Sequence, residues 1–554
     1  MIEREDRDRP LESSERLWWQ AGVIYQVYPR SFQDTDGDGV GDLRGVIERL
    51  DYLDDTLGID AIWLSPFFPS PMRDFGYDIA DYTDVDPLFG DLATFDELVA
   101  EAHARNMRII IDYVPNHCSD QHPWFVEARS SRESAKRDWF IWADPKPDGS
   151  PPNNWIGPFG GSTWEWDEPT GQYYLHIFLP EQPDLNWRNP DLRAEMLDVL
   201  RFWLARGVDG ARIDALHNVM KDPHLRDNPE NHAGHLETHR THGDEFDRQQ
   251  HLHEFDHDDN HEVARAMRAV LDEFEAERPR VAIGELHIFD LDRWARYYGE
   301  GLDELHLPFN FGLLNTPWEA GRVRALVDAI EAAVPPGGWP NYVLGNHDEP
   351  RIATRVGVDE ARVGMMLLLT LHGTPTLYYG DELGMRDATV SIEQMRDPWG
   401  IRMGEAQFSR DPARASMPWD DSPNGGFCPA GVEPWLPLAP DLATTNVVAQ
   451  AADPRSMLNL TRALLRLRRA SPALSVGDYR ALDAVPPDVF GFLREAGEDR
   501  YLVLLSFARR TVTIELPEAG QAAIAVSTAL DREGPADLAN LTLRGNEGLV
   551  LQLA

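Results

Sequence analysis

Short apolar runs alternate with amphipathic stretches along the first two thirds of the chain, and the two patterns predict different elements. "VIYQVYP" (23–29), "AIWLSP" (61–66) and "RIIIDYVPNH" (108–117) are continuous and β-branched rather than alternating, as strands buried on both faces are. Between them, "LRGVIERLDYLDDTLG" and "LATFDELVAEAHARN" repeat their apolar residues at helical spacing. "GARID" (210–214), "VAIGE" (281–285), "LHLPFN" (305–310), "YVLGNHD" (342–348) and "TPTLYYG" (374–380) extend the strand series. Eight strands with intervening helices predict an α/β fold, a (β/α)8 TIM barrel.

The spacing of these runs predicts the rest of the architecture. Roughly ninety residues rich in Pro, Gly, Trp and Asn separate the third and fourth strands, which predicts a subdomain inserted after strand 3 on the functional face. From about 475 the pattern changes to period two ("VFGFLRE", "RYLVLLSFA", "TVTIEL", "LVLQLA"), predicting a C-terminal antiparallel β-sandwich domain. The expected plan is barrel over 1–117, inserted subdomain over 118–191, and barrel again over 192–474 with long loops at 215–262 and 381–455. The β domain then covers 475–554.

Composition narrows the partners. Hydrophobic residues at 42% and 17 Trp exclude a disordered chain. The 52 basic and 94 acidic residues leave a net charge of −42, and only Lys136, Lys146 and Lys221 are lysines. Such a field repels nucleic acid and anionic membrane, so neither is expected as a partner. A Lys-poor, Asp-rich surface fits a salt-tolerant source, and a GC-rich coding bias also replaces Lys by Arg. Cys118 and Cys428 are too few for a disulfide framework. The first sixteen residues lack the apolar stretch of a signal peptide, and no apolar run is long enough to span a bilayer. A cytoplasmic protein, monomer or homodimer, is expected. Residues 217–261 hold ten of the 18 His; their spacing fits no ligand template, and a solvated loop is expected there.

In a barrel, chemistry gathers at the carboxyl ends of the strands. Those ends carry Asp112 and His117, Arg212 and Asp214, Glu285, and His347 with Asp348. Asp214, Glu285 and Asp348 sit in or just after apolar strands, where an idle charge is costly. Two carboxyl groups about 5–5.5 Å apart suffice for retaining glycoside hydrolysis, one attacking the anomeric carbon and the other protonating the leaving oxygen. Arg212, two residues before Asp214 on the same strand face, is expected to keep that carboxylate ionised.

"GARIDAL", "VAIGEL" and "LGNHDEPR", with "DYVPNHCS" upstream, resemble the four motif regions of the α-amylase superfamily, glycoside hydrolase family 13. "PEQPDLNW" and "SRDPARASMPWD" resemble its α-glucosidase and oligo-1,6-glucosidase branch, and the likeness runs from about residue 18 to the β domain. The resemblance implies Asp214 as nucleophile, Glu285 as general acid/base and Asp348 as transition-state stabiliser. It makes His117 and His347 ligands of sugar hydroxyls in the −1 subsite, and Tyr77 a platform under the glucose ring. Asp74 and Arg414 match a pair that grips the 4- and 6-hydroxyl end and closes the pocket, which implies action on the non-reducing terminal glucose. Phe159, Phe178 and Gln182 match the +1 side. Ala215 after the nucleophile implies α-1,4-linked substrates such as maltose. Ala211 stands where an aromatic is usual, and "LHNV" replaces the commoner Asn-His order; both bear on the acceptor side.

The expectation is thus an exo-acting retaining α-glucosidase with side transglucosylation and no organic cofactor. A dedicated transglucosidase, sucrose isomerase or trehalose synthase shares its glycosyl-enzyme intermediate. A non-catalytic amylase-like binding protein would lack catalytic carboxylates, and here all three are present.

"QDTDGDGVGDLRG" (33–45) resembles an EF-hand loop, but the twelfth position counted from Asp34 is Gly45, which offers no ligand. The family carries a similar loop that holds one structural Ca²⁺ or Mg²⁺ away from the catalysis. By that resemblance Asp34, Asp36, Asp38 and Asp42 give side-chain oxygens and Val40 its carbonyl. Asp42 stands in for the missing Glu.

Overall fold

In the computed structural model, which describes residues 17–232, 245–516 and 520–554, eight strands form one parallel sheet. They are β1 (Ile24–Val27), β2 (Ala61–Leu64), β3 (Arg108–Tyr113), β4 (Gly210–Ile213), β5 (Val281–Gly284), β6 (Leu307–Pro308), β7 (Asn341–Val343) and β8 (Thr374–Tyr378). Their order, β7-β8-β1-β2-β3-β4-β5-β6, is that of a nearly closed (β/α)8 barrel. Every strand residue except Arg108 is buried, which is why the apolar runs do not alternate. In-register pairing sets Asp112 on β3 opposite Arg212 on β4, and Arg212 opposite Ile283 on β5.

Several strands are shorter than the sequence patterns. "YVLGNHD" keeps strand geometry only through Val343, and Asn346 then folds back so that its Oδ1 accepts from Asp348 N at 2.9 Å. Side-chain capping of this kind competes with the ladder and releases His347 and Asp348 onto the rim. "LRGVIERLDYLDDTLG" is likewise not one helix. An α-helix over Leu43–Glu48, N-capped by Asp42, gives way to π-helical turns over Tyr52–Leu57, stopped by Gly58 at φ 77°.

Between β3 and β4 a three-stranded antiparallel sheet (Trp142–Ala143, Gln172–Leu175, Trp164–Asp167) packs on its own core of Trp155, Trp164, Leu175 and Ile177. The C-terminal part is antiparallel: six strands between Asp478 and Leu553 in one sheet, and Val512–Ile514 with Leu541–Leu543 in a second. Leu502, Leu504, Leu549 and Leu551 of the first meet Val512, Ile514, Leu541 and Leu543 of the second, a sandwich core. Both cysteines are buried and free. Among the described residues no helix is long and apolar enough to cross a membrane.

The helix Pro190–Ala205 carries the chain from the inserted segment to β4, and it is pinned by Trp203. This fully buried ring packs edge-on against Phe67 and Phe95, and its Nε1 donates to Tyr82 O at 2.8 Å. Trp203→Ala removes that packing and orphans the carbonyl. Urea denaturation is expected to register a loss of about 3–5 kcal/mol in the barrel transition.

Candidate active site

The floor of the site is built around one guanidinium. Arg212 Nη1 donates to Asp112 Oδ1 at 2.7 Å and to Asp214 Oδ1 at 2.6 Å, while Nη2 lies 3.0 Å from Glu285 Oε2. Asp214 and Glu285 are carried by backbone bonds that continue the barrel ladder, Asp214 N to Tyr113 O and Glu285 N to Ile213 O. Between them, Ala215 adopts a left-handed φ of 43°, which turns its N–H onto Glu285 Oε2 at 2.8 Å. Such strain persists only where its surroundings enforce it.

Asp348 completes the trio from the β7 side. Its carboxylate meets His347 Nε2 and Arg414 Nη2 at 3.2 Å and Arg410 Nη1 at 3.3 Å. The expected partnership of Asp74 with Arg414 is not formed. Arg410 bonds Asp74 at 2.7 Å and is clamped from behind by Asp397 at 2.6 Å, whereas Arg414 is fully buried and donates to His347 O at 2.8 Å. Both arginines belong to "SRDPAR", and the 3-10 turn over Asp411–Arg414 sends the first to the pocket and the second behind it. Gln182 is also displaced from its expected role. It does not line the pocket; wholly buried, it donates to Asp74 Oδ2 at 3.2 Å and touches His117 Nε2 at 3.1 Å.

Asp74, Tyr77, His117, Phe159, Phe178, Asp214, Glu285, His347 and Asp348, all expected from sequence, line a single pocket. Tyr77 is stacked on His347 (5.4 Å, 6°) and its hydroxyl donates to Asp112 Oδ2 at 3.0 Å. Phe159 stacks on Trp399 and meets Phe178 edge-on, with Arg410 over its face at 5.0 Å. Sequence reasoning missed Arg410, Asp397, Trp399 and His287. It also misjudged the His-rich tract: Phe246, His251, Glu254 and Phe255 form a pocket wall, and His217, His251 and His261 are buried rather than solvated. His235, His239 and His242 lie outside the described residues, and among those described no His cluster has metal-binding spacing.

Three carboxylates around one guanidinium cannot all stay ionised. Burial pushes Asp214 well above the usual carboxylate range, the charge of Glu285 adds to this, and Arg212 offsets it only in part. Glu285 is buried too, but Arg212 and the His287 hydrogen bond pull it well below that range. Burial raises Asp112 to about 6 against the pull of Arg212. In the substrate-free pocket the Asp214–Glu285 pair thus shares one proton, with Arg212 drawing on both carboxylates. For Asp348, burial is overcome by His347, Arg410 and Arg414, which hold it low. Burial depresses His117, His217 and His347 to about 3, so all three are neutral at pH 7.

The loop of residues 33–42 lies away from this pocket. Asp34, Asp36 and Asp42 bring carboxylate oxygens within 4.8 Å of one another, while Asp38 caps its own turn at Val40 N, 2.7 Å away. This donor set is hard oxygen and fits a Ca²⁺ or Mg²⁺. The loop is strapped down by residues 427–435: Asp34 N donates to Phe427 O, and Trp435 N to Gly39 O. A Cβ at Gly39 (φ 89°) would sit 2.2 Å from Glu433 O, so only glycine fits there.

A barrel with acidic residues at its strand ends, an Arg-linked carboxylate pair and a third carboxylate in one pocket is the arrangement of a glycoside hydrolase. The family description "Alpha amylase, catalytic domain" matches residues 26–477. The probable α-glucosidase of Rhizobium meliloti (strain 1021) is 44% identical over 526 residues, 92% of each chain. The crystal structure of the α-glucosyl transfer enzyme XgtA has a TM-score of 0.91 at 40% identity, covering 98% of this chain and 100% of that one. That of trehalulose synthase MutB from Pseudomonas mesoacidophila MX-45 has 0.87 at 33% identity, covering 98% and 100%. The chain belongs to glycoside hydrolase family 13, the α-amylase family, in its α-glucosidase branch.

The protonation pattern predicts a bell-shaped pH profile for kcat/KM. As pH falls, the carboxylate pair takes up a second proton and no anion is left to attack; as pH rises, it loses its one proton and cannot protonate the leaving oxygen. His117 and His347 stay neutral across this range. His347→Asn is therefore expected to lower kcat/KM while leaving both midpoints in place, as initial rates across pH would show.

Proposed function

We propose that the protein is an exo-acting retaining α-glucosidase that releases glucose from the non-reducing end of short α-glucosides. The observation that carries this reading is the shared guanidinium, since Arg212 binds Asp214 at 2.6 Å and Glu285 at 3.0 Å. Two carboxyls gripped by one guanidinium suit the close approach that a retaining pair needs. Asp214 attacks the anomeric carbon and Glu285 protonates the leaving oxygen. Positive charge growing at the anomeric carbon favours the anion on Asp214, and the leaving oxygen draws the proton to Glu285. Substrate thus favours the distribution that the reaction needs. The low-lying Asp348 carboxylate faces the same charge and stabilises it. The Asp74–Arg410 pair closes the glucose end, which fits removal of one terminal unit.

Ala215 and the wall formed by Phe246, His251, Glu254 and Phe255 favour small α-1,4-linked substrates such as maltose. The glucosyl-transferring neighbours favour a second reading, in which a sugar hydroxyl resolves the intermediate in place of water. The loop at Asp34, Asp36 and Asp42, with Asp38 and the Val40 carbonyl completing the shell, would hold one structural Ca²⁺ or Mg²⁺. The ion would brace the loop and take no part in bond cleavage. A cytoplasmic monomer or homodimer fits the acidic chain.

Asp214→Ala is expected to cut kcat on maltose by about 10³-fold or more with an unchanged circular dichroism spectrum. Near wild-type turnover would overturn the assignment. Proton NMR of the first product should show α-glucose. Sugar profiles from maltose and sucrose separate hydrolysis, which accumulates glucose, from transfer or isomerisation, which yields new disaccharides. EDTA is expected to lower Tm by a few degrees, with recovery on adding Ca²⁺ or Mg²⁺ and no response in an Asp34→Asn/Asp36→Asn variant.

A further inference from the structure

We propose that His287 is a positioning residue that holds the proton-bearing oxygen of Glu285 and passes that proton between Glu285 and solvent. The inference rests on reading Glu285 as the general acid/base. It follows from the inequivalence of the two carboxyl oxygens. Oε2 faces the Ala215 N–H at 2.8 Å and Arg212 Nη2 at 3.0 Å. Both are obligate donors, so a proton on Oε2 would point at N–H groups. The acid's proton therefore sits on Oε1. Against Oε1 lies His287 Nε2, at 2.9 Å.

An imidazole suits both states of this oxygen. With its proton on Nε2 it donates to the carboxylate; with its proton on Nδ1 it accepts from the carboxylic O–H. The ring is held in place by stacking on Phe311 (4.7 Å, 17°) and by the edge of His217, whose Nδ1 bonds the Glu285 carbonyl at 3.2 Å. The other charged or titratable groups around Glu285 are Arg212, Asp112, Asp214, His217 and Asp348, from the ends of β3, β4 and β7. Arg212 and Asp112 are sealed from solvent, whereas the His287 side chain is 19% exposed and lines the pocket.

The proton count closes. Where the pair's one proton starts on Asp214, Glu285 is ionised and His287 donates from Nε2. Charging the acid moves a proton from His287 Nε2 to Glu285 Oε1, and solvent restores one at Nδ1, leaving the other tautomer. Asp214 releases its proton to water. When the glycosidic bond breaks, the Oε1–H bond breaks with it, and the leaving oxygen keeps the proton. The attacking water later returns one to Oε1.

The test uses leaving groups that differ in their need for a proton. His287→Ala is expected to lower kcat/KM on maltose about 10-fold or more, while an activated 2,4-dinitrophenyl α-glucoside changes by less than about threefold. The alkaline midpoint on maltose should move up, because ionised Glu285 has lost a donor. His287→Gln, which donates but cannot relay, should bring the midpoint back toward wild type without recovering the maltose rate. Equal losses on both substrates, or no loss on either, would overturn the proposal. Glu285→Gln separates this from failure of the underlying reading: if that variant cleaves maltose near the wild-type rate, Glu285 is not the acid, whatever His287→Ala does.

Discussion

The site depends on the charge balance at Arg212. One buried cation faces Asp112, Asp214 and Glu285, with Trp63 beneath its guanidinium at 5.0 Å. Burying a charge is expensive unless it is paired and hydrogen-bonded, and an Arg fork can satisfy several carboxylates where the ammonium of Lys presents one point. One positive charge among three acids leaves an excess, which the pocket relieves by retaining a proton. A pocket with one anion beside one acid follows from that stoichiometry. The barrel register that sets Asp112 opposite Arg212 thus fixes the floor of the site.

Around this centre, polar groups are fixed by second partners rather than by their own segments. Arg410 reaches the pocket because Asp397 holds its other edge. His347 lies between the rings of Tyr28 and Tyr77 (13° and 6° from parallel), with Nδ1 2.7 Å from the Gln26 amide. A neutral histidine packed this way keeps its orientation without needing a charge.

The barrel was legible because its strands are buried on both faces, so each is a continuous β-branched run. The trio Asp214, Glu285 and Asp348 was legible because a carboxylate at the end of an apolar strand has few structural uses. What lay off the strands was harder to read. Arg410 and Arg414 stand four residues apart in one irregular turn, and the loop's long-range contacts, absent from local pattern, decide which faces the sugar. Asp397 and His287 are defined by partners, and Gln182 is polar in a way that fits either lining or support. The reach of Arg212 to Glu285 as well as Asp214 was not legible, because it crosses from one strand end to the next. His251 and Glu254 looked solvated because their burial comes from a wall folded back over the barrel mouth.

The strap across the Asp-rich loop has a consequence for biogenesis. Residues 34–42 belong to the first connection of the barrel, yet Asp34 and Gly39 have backbone partners in Phe427 and Trp435, almost four hundred positions later. During synthesis, which runs from the N-terminus, the loop's two long-range backbone bonds must wait until nearly the whole barrel has been made. Its closure entropy falls due late, after the neighbouring strands have paired. The first loop made is therefore among the last to be finished, and its completion reports that the barrel has closed around its own beginning.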